Sequence, residues 1–224
     1  MSTISENIPK AVNPFPDIDL IGGDNPALAS INSPFTLPFY HTKETLDAEN
    51  YKRFLDNAVY RFRHSSTYTH YKGSLIALGL DRCQILSNIT SEMATIEMHH
   101  NMITVFDVAL ILSEYVLKTI GRISTYDLVQ LLKDEHRANR IPLVMLSKTA
   151  HQGYHNTTDL FVHPSQCFGK WWEFLEMYHI GITQDIAFKI MRYLKQAVNE
   201  GGSNDNGLFD LYDKVKDWSE QNEF

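Results

Sequence analysis

Apolar positions recur at helical spacing over most of the chain. In "TKETLDAENYKRFLDNAVYRFR", Leu46, Phe54, Val59 and Tyr60 show helical spacing, which predicts a helix from about residue 43 with Thr42 as its N-cap. "KGSLIALGL" reads as a short helix or turn closed by Gly79. "ITVFDVALILSEYVLKTIG" is a nearly continuous apolar run opened by Thr104 and stopped by Gly121, and "STYDLVQLLKDEHRANR" follows with Ser124 and Asp127 at capping-box spacing. Further helices are predicted over "KWWEFLEMYH", "TQDIAFKIMRYLKQAVNE" and the terminal "LFDLYDKVKDWSEQ". Two stretches break the helical period. "ATIEMHH" and "IPLVML" are short, apolar and bounded like strands. The expected class is α+β, mainly α, with a small β element.

Punctuation divides the chain. Residues 1–42 hold six of the eight prolines, as suits an extended or partly disordered arm. Residues 43–200 form a helical domain, and 201–224 comprise the "GGSNDNG" linker and an amphipathic helix. Asp107, Glu114 and Lys118 interrupt the most apolar run, so it reads as a buried helix and no membrane partner is expected.

Composition narrows the chemistry. Cys83 and Cys167 are the only cysteines, too few for a disulfide scaffold, and they read as reduced thiols in a cytoplasm-like compartment. The net charge of −7 argues against extended nucleic-acid binding, although Lys52, Arg53, Arg61, Arg63 and Lys72 gather in "YKRFLDNAVYRFRHSSTYTHYKG". On composition alone that cluster reads as a solvated helix face. No phosphate loop, dinucleotide fingerprint or nucleophile elbow occurs, so no nucleotide cofactor is expected.

The ten histidines are unevenly spread. His151 and His155 are four apart, which on a helix stacks both imidazoles on one face. His99 and His100 are adjacent at the end of the first strand-like run. On an ideal strand His99 shares a face with Glu97 and His100 with Met98, yet at a twisted end both can border one pocket. Two helix histidines and one strand histidine suit a single divalent ion, and an unligated imidazole beside it can take a proton from water.

"IEMHH" followed by "LVMLSKTAHQGYH" resembles the two halves of the HNH, or His-Me finger, nuclease family. The resemblance covers residues 94–156 and suggests a phage-encoded member. It implies a small ββα-metal finger carrying residues 104–137 as a helical insertion. It further implies His100 as general base and His99, His151 and His155 as ligands of one divalent ion (Mg²⁺, Mn²⁺, Zn²⁺ or Ni²⁺), with DNA as substrate. The location it implies is the host cytoplasm. Glu97 would support a ligand histidine. Pro142 stands where the family's central asparagine is expected, leaving Asn139 and Asn101 as nearby substitutes. Ser147 and Ala150 replace the cysteines of the zinc-knuckle variant, and His151 lies 52 residues after His99. The alternative function is a non-catalytic metal-binding module that meets a protein partner through the insertion.

Overall fold

The two strands meet in an antiparallel pair. β1 (Ile96–His100) and β2 (Leu143–Ser147) align with Ile96 opposite Ser147 and His100 opposite Leu143. A computed structural model describes residues 40–156, 161–201 and 206–221 of the chain. From His41 onward these belong to one compact unit, so the expected N-terminal arm lies almost wholly outside the described residues. Among the described residues eight α-helices accompany the strands: α1 (Ala48–Arg63), α2 (Ser66–Ala77), α3 (Val105–Thr119), α4 (Thr125–Arg137), α5 (Lys148–Asn156), α6 (Trp171–Met177), α7 (Gln184–Gly201) and α8 (Asn206–Gln221). The protein is therefore α+β and mainly α.

β2 is the centre of the core. Its other edge is covered by Phe168, which exchanges backbone hydrogen bonds with Leu143, and by Gln84, whose main-chain N–H and side-chain carbonyl pair with the backbone of Met145. Every residue from Leu143 to Ser147 is buried. Burial on both faces explains why "LVML" is apolar without alternation. α5 follows β2 directly, with the Ser147 hydroxyl accepting from the Ala150 N–H at 3.3 Å, and packs against both strands. Strand, strand and helix thus form a ββα unit, with α3 and α4 inserted between the strands.

The insertion is held by local signals. Thr104 and Asp107 form one capping box and Ser124 and Asp127 a second, each satisfying otherwise orphaned N–H groups. Gly121 has φ +84° just past the end of α3, a conformation that favours glycine. The helices nevertheless belong to the core: Val108, Ile111 and Leu112 of α3 and Leu128 and Leu132 of α4 are fully enclosed, against α1 and α2. Of the tryptophan pair on α6, Trp171 is buried and Trp172 exposed.

Two boundaries differ from expectation. Thr42 caps a single 3-10 turn (Lys43–Thr45), and the long helix starts five residues later, where the Asp47 carboxylate accepts from the Asn50 N–H at 2.8 Å. The "KGSLIALGL" segment is not a separate turn: its first residues continue α2 through Gly73 to Ala77.

A close backbone approach locks the turn after α6 onto α3. A Cβ on Gly181 would lie 2.1 Å from the Ile111 carbonyl oxygen and 2.9 Å from the Tyr115 nitrogen. Both obstacles are backbone, so no side chain can swing aside. Gly181→Ala should destabilise the fold by about 1–3 kcal/mol or more, the usual cost of overpacking, read as a lower urea midpoint with an unchanged slope. Gly153→Ala, with nothing within 4 Å of its Cβ, is the matched control.

Candidate metal and histidine site

β1 ends on the two adjacent histidines, and the pleat sends them to different partners. Glu97 and His99 face α5. The His99 Nδ1 lies 2.9 Å from the His151 Nε2, and the opposite nitrogen of His151, Nδ1, lies 2.5 Å from the Glu97 Oε2. A carboxylate only accepts at neutral pH, so His151 donates its Nδ1–H to Glu97, and in the neutral form of the ring Nε2 carries the lone pair. Glu97, which the sequence offered as a supporting residue, thereby sets the tautomer of His151.

The contact between His99 and His151 is a hydrogen bond when one of the facing nitrogens carries a proton, and a chelating pair when neither does. Imidazole nitrogens bind a transition ion at about 2.0–2.1 Å, so two of them 2.9 Å apart can share one. A histidine ligand whose far nitrogen donates to a carboxylate is the usual outer-sphere arrangement. These two nitrogens supply part of a ligand set for a divalent ion. His155 lies one turn further along α5, but its side chain falls outside the described residues. Among the described residues no group of three potential metal ligands forms.

His100 turns the other way, into the insertion. Its Nε2 lies 2.9 Å from the Nε2 of His136 on α4, and the Nδ1 of His136 lies 2.6 Å from the Leu132 carbonyl one turn back. The His136 ring packs on Phe62 and meets Tyr71 edge-on. Burial in these apolar surroundings holds the His100 imidazole well below its ordinary pKa, with His136, Arg63 and His99 adding to the effect. Burial likewise lowers His136, to about 4. Both rings are therefore neutral at physiological pH.

The two candidate asparagines have partners other than His100. Asn101 is fully buried, accepts from the Tyr154 hydroxyl at 2.8 Å, and directs its amide at the Tyr193 hydroxyl and the Cys167 sulfur. Asn139 adopts φ +54° beyond the end of α4 and accepts from the Tyr71 hydroxyl at 3.0 Å. Neither amide contacts His100, because Asn101 clamps the end of β1 to α5 and α7 while Asn139 serves the turn after α4. His136, which carried no pairing signal in the sequence, stands beside His100 instead. The spacing of Leu128, Leu132 and His136 placed it on the buried face of α4.

A cleft of about 470 Å³ opens over the cluster, lined by His99, His100 and His151 together with Arg63 and Lys72. The basic cluster of α1 and α2 divides at this point. Lys52 pairs with Asp56 and Arg53 with Glu49 along α1. No described carboxylate forms an ion pair with Arg63 or Lys72, so two cations border the histidines.

Residues 20–222 match the family described as bacteriophage G278-like virion protein. The chain belongs to that family. The phage origin suggested by the histidine motif thus holds, and the family description adds a virion context that the sequence did not reveal. No curated protein and no solved structure matches the chain. Among the described residues no helix is long and apolar enough to cross a membrane.

Proposed function

We propose that this virion protein is a metal-dependent, HNH-like endonuclease that hydrolyses DNA phosphodiester bonds. The observation that carries the reading is the 2.9 Å approach of His99 to His151 in a cleft that also holds His100 and two cations. His99 and His151 would hold one divalent ion, joined by His155 from the next turn of α5. When bound, that ion supplies Lewis acidity at the scissile phosphate. Arg63 and Lys72 attract and orient the phosphate through charge. His100 accepts a proton from a water molecule, whose oxygen bonds to phosphorus as the bridging P–O bond breaks and the leaving oxygen is protonated by solvent.

The acidic chain limits this grip to a few phosphates. Arg63→Ala combined with Lys72→Ala should raise KM several-fold with a smaller change in kcat, since these cations hold the phosphate alike in the ground and transition states. The slope of log KM against log salt should also flatten by about one for each phosphate that is no longer neutralised. An unchanged slope would remove the two cations from the substrate path.

The direct test incubates purified full-length protein with supercoiled plasmid and Mg²⁺, Mn²⁺, Ni²⁺ or Zn²⁺. Nicking that chelator abolishes supports the reading. A fully metal-loaded protein that cleaves neither DNA nor RNA overturns it.

The second reading is a non-catalytic metal-binding module of the particle that meets a protein partner through the insertion. Ile120 and Tyr126, at the tip joining α3 to α4, are 68% and 70% exposed. Metal-dependent thermal stabilisation without cleavage would select it.

A further inference from the structure

We propose that His136, supplied by the helical insertion, is the positioning residue for His100, accepting its Nε2–H and leaving Nδ1 as the proton-accepting atom. The proposal rests on the hydrolytic reading of the cleft and deepens it. The protons follow from one fixed point. The Leu132 carbonyl can only accept, so the His136 Nδ1, 2.6 Å away, must be its donor. In a neutral ring the His136 Nε2 then carries a lone pair. That nitrogen is 2.9 Å from the His100 Nε2, which must therefore donate. The remaining nitrogen of His100, Nδ1, holds the lone pair, and no described residue hydrogen-bonds to it. His100 also lines the cleft.

A backbone carbonyl on α4 thus dictates the polarity of two rings in sequence. The His136 ring cannot flip without losing its bond to Leu132, because Phe62 and Tyr71 enclose it. The burial of the insertion against α1 and α2 places His136 beside His100. It brings to His100 an orienting group that neither Asn101 nor Asn139 supplies.

The test uses nitrogen-15-labelled full-length protein in chelator, with ring signals assigned through His100→Gln and His136→Phe. Long-range proton–nitrogen spectra should show His136 protonated on Nδ1, and His100 on Nε2 with a slowly exchanging ring proton. That proton should disappear in His136→Phe. A His136 protonated on Nε2 overturns the proposal. In the cleavage assay His136→Phe should lower kcat roughly 100-fold, within the range for general-base function, while KM stays within about twofold. His136→Gln, whose amide oxygen can accept from the same Nε2–H, should recover most of that loss. A folded His136→Phe protein that cleaves at the wild-type rate overturns the proposal and leaves the nuclease reading intact. The expected proton pattern in a protein that cleaves nothing upholds the relay and removes the nuclease reading alone.

Discussion

Replacing His100 with alanine should lower kcat for plasmid cleavage by about 10²–10⁴-fold, the contribution typical of a general base. It should leave bound divalent metal essentially unchanged. The two readouts separate because the pleat of β1 separates the side chains: His99 reaches across to His151, whereas His100 reaches into α4 toward His136. Loss of the His100 ring also strands the His136 lone pair in a buried site, a penalty of about 1–3 kcal/mol. His100→Gln is therefore the companion variant, since its amide can still donate to His136 while having no basicity. Both variants should bind metal and substrate like the parent and cleave poorly. Cleavage at the parental rate by either folded variant would eliminate His100 as the base.

How much of this arrangement is readable in the sequence depends on how local the cause is. The insertion helices announce themselves because Thr104 with Asp107, and Ser124 with Asp127, complete their capping boxes within one turn. The strands are legible because "IEMHH" and "LVMLS" are short apolar runs with no helical period. The start of α1 is misplaced for an equally local reason: Thr42 and Asp47 are both capable caps, and Thr42 closes only one 3-10 turn. α2 reads short because it buries only Tyr71 and Leu75 and carries Gly73 in its middle, so its periodicity is faint.

The site shows the same divide. Convergence of His99 and His151 can be anticipated, because a strand end and the first turn of a following helix must lie close in a ββα unit. The pairing of His100 with His136 cannot. It spans 36 residues and depends on how α4 packs, which no spacing within either element encodes. The cations are equally hidden. Five basic residues look alike in sequence, and only folding leaves Arg63 and Lys72 at the cleft while Lys52 and Arg53 find carboxylates on their own helix.

His151→Ala should weaken divalent-metal binding by more than about 100-fold, exceeding the 10–100-fold expected from losing an outer-sphere partner. The reason is geometric. The His151 Nε2 faces the His99 Nδ1 at 2.9 Å while its Nδ1 is committed to Glu97, so the ring has one nitrogen for an ion and one for its own orientation. Glu97→Ala should fall in the lower range, because the ring keeps its donor atom but loses the group that fixes its tautomer. Glu97→Gln, which can still accept from Nδ1–H, should lose least. Competition titration with a chromophoric chelator measures the series, and thermal shifts at fixed free metal check it, since each tenfold in affinity is about 1.4 kcal/mol of stabilisation at saturation. His155→Ala tests the next turn of α5 independently. If His151→Ala binds metal as tightly as the parent, the two imidazoles form only a structural hydrogen bond. The ββα unit would then anchor the insertion rather than hold an ion.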